Sequence, residues 1–169
     1  MKDNVILIGM PGVGKSSMGV VLAKVIGYEF VDSDLIIQKQ EKCLLKDIIK
    51  EKGNDGFLEV ENRINAGIDV HKAVVATGGS VVYGKEAMEH LRETGLVVYL
   101  KASYKTIHGR ISNLVGRGVA ISDGQTLFDL YNERIPLYEK YADVTVDMDN
   151  FSIEESVQQT VQKINKYLI

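Results

Sequence analysis

The sequence has a single cysteine, three histidines, no apolar run long enough to cross a bilayer, and a net charge of only −3. Each shortage removes a class of protein. With Cys43 alone, no internal disulfide is possible, and a reducing compartment, the cytoplasm, is expected. Cys43 reads as an incidental, half-buried thiol rather than a nucleophile. His71, His90 and His108 are scattered without metal-ligand spacing and read as surface or structural residues. The weak charge argues against a nucleic-acid footprint over the whole surface, yet leaves room for a small basic pocket holding a small anion. No membrane span is expected. The first strand starts within a few residues of Met1, so no signal peptide is expected either. No repeat or low-complexity segment is present. The 169 residues, 45% of them hydrophobic, therefore read as one domain, 1–169, large enough for a sizeable core.

What is present is concentrated in Asn4 to Ser17, NVILIGMPGVGKSS. Val5 to Ile8 is a β-branched apolar run and reads as a buried strand. Gly9-x-x-x-x-Gly14-Lys15-Ser16 follows at once, and Met18 to Ile26 has the pattern of a helix. That context makes the glycine loop a phosphate site rather than a plain strand-to-helix turn. Gly9, Gly12 and Gly14 let the backbone turn its N–H groups inward toward an anion, and the helix N-terminus adds partial positive charge. Lys15 is the cation for the outer phosphates, and the Ser16 hydroxyl is a ligand for Mg²⁺.

A second strand, Tyr28 to Val31, ends in Asp32-Ser33-Asp34. In an open α/β sheet, ligands gather at the carboxyl ends of the strands, which places both carboxylates at the mouth of the phosphate loop. Asp32 can hold Mg²⁺ through water, and Asp34 can accept a proton from, or align, a substrate hydroxyl. Ser33 reads as the cap of the next helix, and capping by one of the two aspartates is the alternative to a functional role for it. Helices are expected over Leu35 to Lys42, Leu44 to Lys52 and Phe57 to Val70, with a turn at Gly53 to Gly56. The strand Ala73 to Ala76 runs into Thr77-Gly78-Gly79-Ser80, where the paired glycines permit either a tight turn or close backbone approach by a ligand. Further strands are expected at Leu96 to Leu100 and Val144 to Val146. Further helices are expected at Gly84 to Thr94, Tyr104 to Ile111, Leu127 to Tyr141 and Ile153 to Leu168. Pro136 should end or kink the Leu127 to Tyr141 helix locally. The alternation implies an α/β fold with three layers, about five parallel strands and helices on both faces. Ser112 to Gly124 breaks the pattern and carries Arg117, with Arg110 just upstream. It reads as a short flexible lid over the transferring phosphoryl group, the alternative being an unstructured surface loop.

Taken in order, these motifs resemble the shikimate kinases over nearly the whole chain. The matching signatures are Gly-x-x-Gly-x-Gly-Lys-Ser-Ser at Gly9 to Ser17, Asp32-Ser-Asp34, Phe57-x-x-x-Glu61, Gly78-Gly79, Arg110 and Arg117, and Arg134-x-Pro-Leu-Tyr138. The resemblance implies that Gly12, Val13, Gly14, Lys15, Ser16 and Ser17 bind the phosphates of ATP, with Ser16 and Asp32 at Mg²⁺. It implies that Asp34 meets the hydroxyl to be phosphorylated, that Gly79 meets the substrate through its backbone, and that Arg134 binds its carboxylate. Arg117 would reach over the phosphates from a lid at about 112–124, and Arg110 would lie against the adenine. Lys15, Asp34 and Arg117 are then the catalytic set, and helices at about 33–70 bind the substrate. The reaction implied is transfer of the γ-phosphoryl group of ATP to the 3-hydroxyl of shikimate, in a monomer.

The chain departs from that pattern at four places. Leu58 stands where the family carries an arginine that clamps the substrate carboxylate. Ser80 replaces the last of three glycines, and Gly118 follows Arg117 in place of proline. Asp149 and Asn150 lie where an arginine near the adenine is often found. A charge-assisted contact to a carboxylate contributes roughly 1.5–3 kcal/mol, so its loss should weaken binding about 10- to 100-fold. Glu61, without that arginine, is expected to pair with Arg134. Arg63 points to a different helix face. Two alternatives follow: a related kinase acting on another small hydroxylated metabolite, and a non-catalytic nucleotide-binding sensor.

Overall fold

The computed structural model describes residues 2–111 and 118–168. Among them are five strands in one parallel sheet of order β2-β3-β1-β4-β5. These are β1 (Asn4–Ile8), β2 (Glu29–Asp32), β3 (Ala73–Ala76), β4 (Gly95–Lys101) and β5 (Val144–Asp147). The helices are α1 (Lys15–Ile26), α2 (Ser33–Glu41), α3 (Leu45–Ala66), α4 (Lys85–Thr94), α5 (Tyr104–Arg110), α6 (Leu127–Tyr141) and α7 (Ile153–Ile164). A 3₁₀ turn at Val81–Tyr83 joins β3 to α4. Apart from Asn4 at the start of β1 and the exposed Lys101 at the end of β4, the central strands are apolar and buried on both faces, as a parallel sheet covered by helices requires. Edge strand β5 instead alternates buried and exposed residues. A second, smaller apolar cluster, built around Ile37, Ile48, Phe57 and Ile64, holds α2 and α3 together beside the sheet.

The expected three-layer fold is present, with local differences. β2 extends to Asp32, which pairs with Ala76, so Asp32 rather than Ser33 caps α2: its side chain accepts from the Asp34 N–H. Ser33 is fully buried, and its hydroxyl has no hydrogen-bond partner. The expected turn at Gly53 to Gly56 is a kink inside α3, where Gly53 takes φ 72° and ψ 178°. Pro136 does not end α6, which runs on to Tyr141. Pro136 and Asn132 are both exposed, so the carbonyl that proline leaves unbonded faces water. α3 stops at Ala66 and α7 at Ile164, short of Val70 and Leu168.

The strand order positions the site. β2, β3 and β1 are neighbours, so the segments leaving their carboxyl ends emerge side by side. Those segments are Asp32-Ser33-Asp34, Thr77-Gly78-Gly79 and the glycine loop. β1 lies between β3 and β4, the switch point at which open α/β sheets open a crevice.

Candidate active site

The glycine loop is shaped by backbone conformations that side chains resist. Gly14 has φ 107° and precedes α1 with no side-chain cap, leaving the first N–H groups of that helix free for an anion. At Gly9, a Cβ would lie 2.7 Å from the Leu100 carbonyl oxygen, so β4 admits no side chain there. Lys15 is buried and folds back over the loop, donating to the carbonyls of Gly9 at 2.8 Å and Met10 at 2.9 Å. Burial lowers its pKa to about 8 against the opposing pull of Asp34. Arg110 donates to the carbonyls of Val13 at 3.0 Å and Gly12 at 3.4 Å, bracing the loop from α5. Arg117 and the first part of the expected lid, 112–117, lie outside the described residues.

Across the loop, Ser16 Oγ donates to Asp32 Oδ2 at 3.3 Å. A hydroxyl and a carboxylate side by side are hard oxygen donors suited to Mg²⁺, which takes few protein ligands and completes its shell with water and phosphate. Among the described residues no group of three or more His, Cys, Asp or Glu could hold a metal, so a dedicated all-protein cage is not the arrangement here.

A cavity of about 420 Å³ opens beside the loop, and Lys15, Asp34, Glu61, Gly79, Ser80 and Arg134 are among the residues lining it. Asp34 turns Oδ1 inward without a hydrogen-bond partner. Burial, then the nearby Asp32 carboxylate, raise its pKa to about 6, with Lys15 opposing. Arg134 is buried and projects from α6, where it donates to the Ala120 carbonyl at 2.9 Å and lies over the Tyr83 ring at 5.4 Å. Its Nε has no hydrogen-bond partner among the described residues. A Cβ at Gly79 would sit 2.6 Å from Pro11 Cδ and 3.0 Å from Arg134 Nη1, so only glycine fits between the loop and this arginine. Tyr138, one helical turn beyond Arg134, donates to the Gly79 carbonyl at 2.6 Å and fixes that backbone. This tether was not legible as such, although the four-residue spacing does put Arg134 and Tyr138 on one helix face.

The expected pairing of Glu61 with Arg134 is not formed. Ser80 Oγ donates to Glu61 Oε1 at 2.6 Å, while Glu61 Oε2 is buried without a partner. Burial raises the Glu61 pKa to about 7; the Ser80 hydrogen bond opposes this and Asp34 adds to it. Leu58 packs against the smaller apolar cluster, and Arg63 is exposed and paired with Glu41 at 2.6 Å. Gly118 takes φ +68°, a value closed to proline, and a Cβ there would lie 2.6 Å from Leu45 Cβ.

A phosphate loop at the switch point of a parallel sheet, faced by an inward carboxylate and a buried arginine, defines a small-molecule kinase of the phosphate-loop class. The model of the shikimate kinase family matches residues 11–165. The chain is 32% identical to the shikimate kinase of Thermodesulfovibrio yellowstonii, over 96% of this chain and 95% of that protein. It is 35% identical to that of Chlorobium chlorochromatii, over 97% of this chain and 92% of that protein. Its fold is similar to that of the Acinetobacter baumannii shikimate kinase solved in complex with shikimate. There the TM-score is 0.87 at 28% identity, covering 98% of this chain and 94% of the other. The chain belongs to the shikimate kinase family. It is a phosphotransferase acting on a hydroxyl group, with ATP as co-substrate, rather than a non-catalytic sensor.

Proposed function

We propose that this enzyme transfers the γ-phosphoryl group of ATP to the 3-hydroxyl of shikimate. The observation that carries the reading is the cavity itself: Asp34 Oδ1 and Arg134 Nε, both without partners among the described residues, line one space with Lys15 and the glycine loop. A ring hydroxyl on Asp34 and a carboxylate on Arg134 would satisfy both buried groups at once. The A. baumannii enzyme solved with shikimate supports the same substrate. Asp34 aligns the attacking hydroxyl and accepts its hydrogen bond, while Gly79 approaches through its backbone. Lys15 exchanges the Gly9 and Met10 carbonyls for the phosphates, and the loop amides of Gly12, Val13 and Gly14 with the α1 amide of Ser17 cradle them. Ser16 and Asp32 would hold Mg²⁺, which when bound neutralises phosphate charge. Arg110, already on the loop, would lie against the adenine, and Arg117 would close over the phosphates. Such a transfer needs positioning and charge stabilisation, with no covalent enzyme intermediate. The protein is read as a cytoplasmic monomer; among the described residues no helix is long and apolar enough to cross a membrane.

The test is ADP release with ATP and Mg²⁺ while shikimate is titrated widely. Saturable turnover, lost in Asp34→Asn, with the phosphoryl group located on the 3-hydroxyl, is the expected outcome. No turnover at any shikimate concentration, with ATP binding intact, refutes the reading. A second reading, a neutral polyhydroxy acceptor, is favoured by one observation: Leu58 packs into an apolar cluster and brings no cation to the α3 wall. Turnover of neutral polyols in preference to shikimate would establish it.

A further inference from the structure

The charged side chains among the described residues lining the cavity are Lys15, Asp34, Glu61 and Arg134. Two cations and two carboxylates balance, so an acceptor carrying its own carboxylate would bring an unmatched negative charge into a buried site. Charge buried without a partner is strongly disfavoured. One group is placed to remove the excess. Glu61 is 2% exposed, and its Oε2 has no partner among the described residues. A Cβ at Gly78 would lie 2.7 Å from Glu61 Oε2 and 2.9 Å from Asp34 Oδ1, so both carboxylates converge on the wall where Gly78 meets the cavity. Ser80 already donates to Oε1, which leaves Oε2 as the oxygen that takes a proton.

We propose that Glu61 is a substrate-binding, specificity-determining residue of this enzyme, which in neutral form donates a hydrogen bond through Oε2 to the acceptor's carboxylate while Ser80 holds Oε1. This rests on the reading of shikimate as acceptor. Binding then draws one proton onto Glu61 when it starts ionised, and that proton supplies the charge that no further cation in the described cavity wall provides. The groups facing Glu61 are Lys15 from α1, Asp34 from α2, Arg134 and Tyr138 from α6, and Ser80 from the turn after β3. On its own helix, Arg63 is turned away to Glu41. Burial holds the Glu61 carboxyl at about 7, within reach of neutral pH.

The experiment is the KM for shikimate from pH 6 to 8.5 at saturating ATP, in the wild type and in Glu61→Gln and Ser80→Ala. It is paired with calorimetry of shikimate binding in buffers of different ionisation enthalpy. KM should be flat below about pH 7 and rise toward tenfold per pH unit above it. Calorimetry at pH 8 should find uptake of about one proton. Glu61→Gln, whose amide donates at every pH, should hold the low-pH KM throughout with no proton uptake. Ser80→Ala, which removes the bond favouring ionised Glu61, should move the inflection to higher pH. Turnover with a pH-independent KM, or a rise that persists in Glu61→Gln, overturns this proposal alone and assigns any titration to Asp34 or Lys15. Absence of turnover with shikimate at every pH overturns the acceptor reading, and this proposal with it.

Discussion

Removing the charge from Glu61 should stabilise the free protein, and only above acidic pH. Burial raises the carboxyl from 4.5 to about 7, and Glu61 is 2% exposed. The unfolded chain releases the proton near pH 4.5 while the folded chain keeps it until about pH 7. The folded state therefore binds more protons across that interval, and stability falls as pH rises through it. At 1.36 kcal/mol per unit, the loss levels off above pH 7 at about 3 kcal/mol. Glutamine has the same shape, can still accept from Ser80, and carries no charge to desolvate. Glu61→Gln should match the wild type near pH 4.5 and exceed it by about 3 kcal/mol at pH 8. With an m-value of about 2 kcal/mol/M, that shifts the urea midpoint by about 1.5 M. Asp34, raised from 3.8 to about 6, contributes a similar slope in both proteins, so the difference between them isolates Glu61. Equal pH slopes in wild type and variant would refute the argument, because the charge would then cost nothing in the fold.

Other outcomes follow from single contacts. Tyr138→Phe leaves the Gly79 carbonyl without its 2.6 Å donor; stability should drop by about 1–3 kcal/mol and the KM for shikimate should rise while that for ATP holds, as chemical denaturation and steady-state kinetics would read. Gly19→Ala drives a Cβ to 2.7 Å from Phe30 Cε2 and 3.2 Å from Leu7 Cδ1; overpacking should cost about 1–3 kcal/mol in a thermal melt, with Phe30→Leu restoring most of it. Lys15→Met removes the cation from the glycine loop but fills the same apolar space; turnover should fall at least about 100-fold while circular dichroism shows the fold retained. Gly118→Pro cannot adopt φ +68° and should lower stability and raise the KM for both substrates together, a pattern that separate titrations would detect.

The parts of the site legible in the sequence are those carried by consecutive residues. Asn4 to Ser17 specifies strand, loop and helix start in one continuous stretch, and the fold ends β1 at Ile8 and starts α1 at Lys15. The Asp32-Ser-Asp34 step was legible as the carboxyl end of a strand. Which of its residues caps α2 stayed open between Ser33 and an aspartate; β2 pairs one residue further than its apolar run suggests, and the cap falls on Asp32. Pro136 marks a helix break by its chemistry. The packing of Leu130, Arg134 and Tyr138 on the inner face of α6 keeps the helix whole, since the lost hydrogen bond lies on the wet side.

By itself the sequence determined a parallel α/β fold with a phosphate loop, because periodicity and glycine spacing act over a few residues; the kinase reading came with the resemblance carried by its ordered motifs. Tertiary structure alone decided who partners whom inside the cavity. Glu61 with Ser80, Arg134 with the Ala120 carbonyl, and Tyr138 with the Gly79 carbonyl join residues 19, 14 and 59 apart in the chain. Those bonds close only when the order β2-β3-β1 sets three strand ends side by side and α3 and α6 pack over them. The same burial moves the Glu61 and Asp34 carboxyls toward neutrality, an effect of lost water that no local pattern of residues encodes.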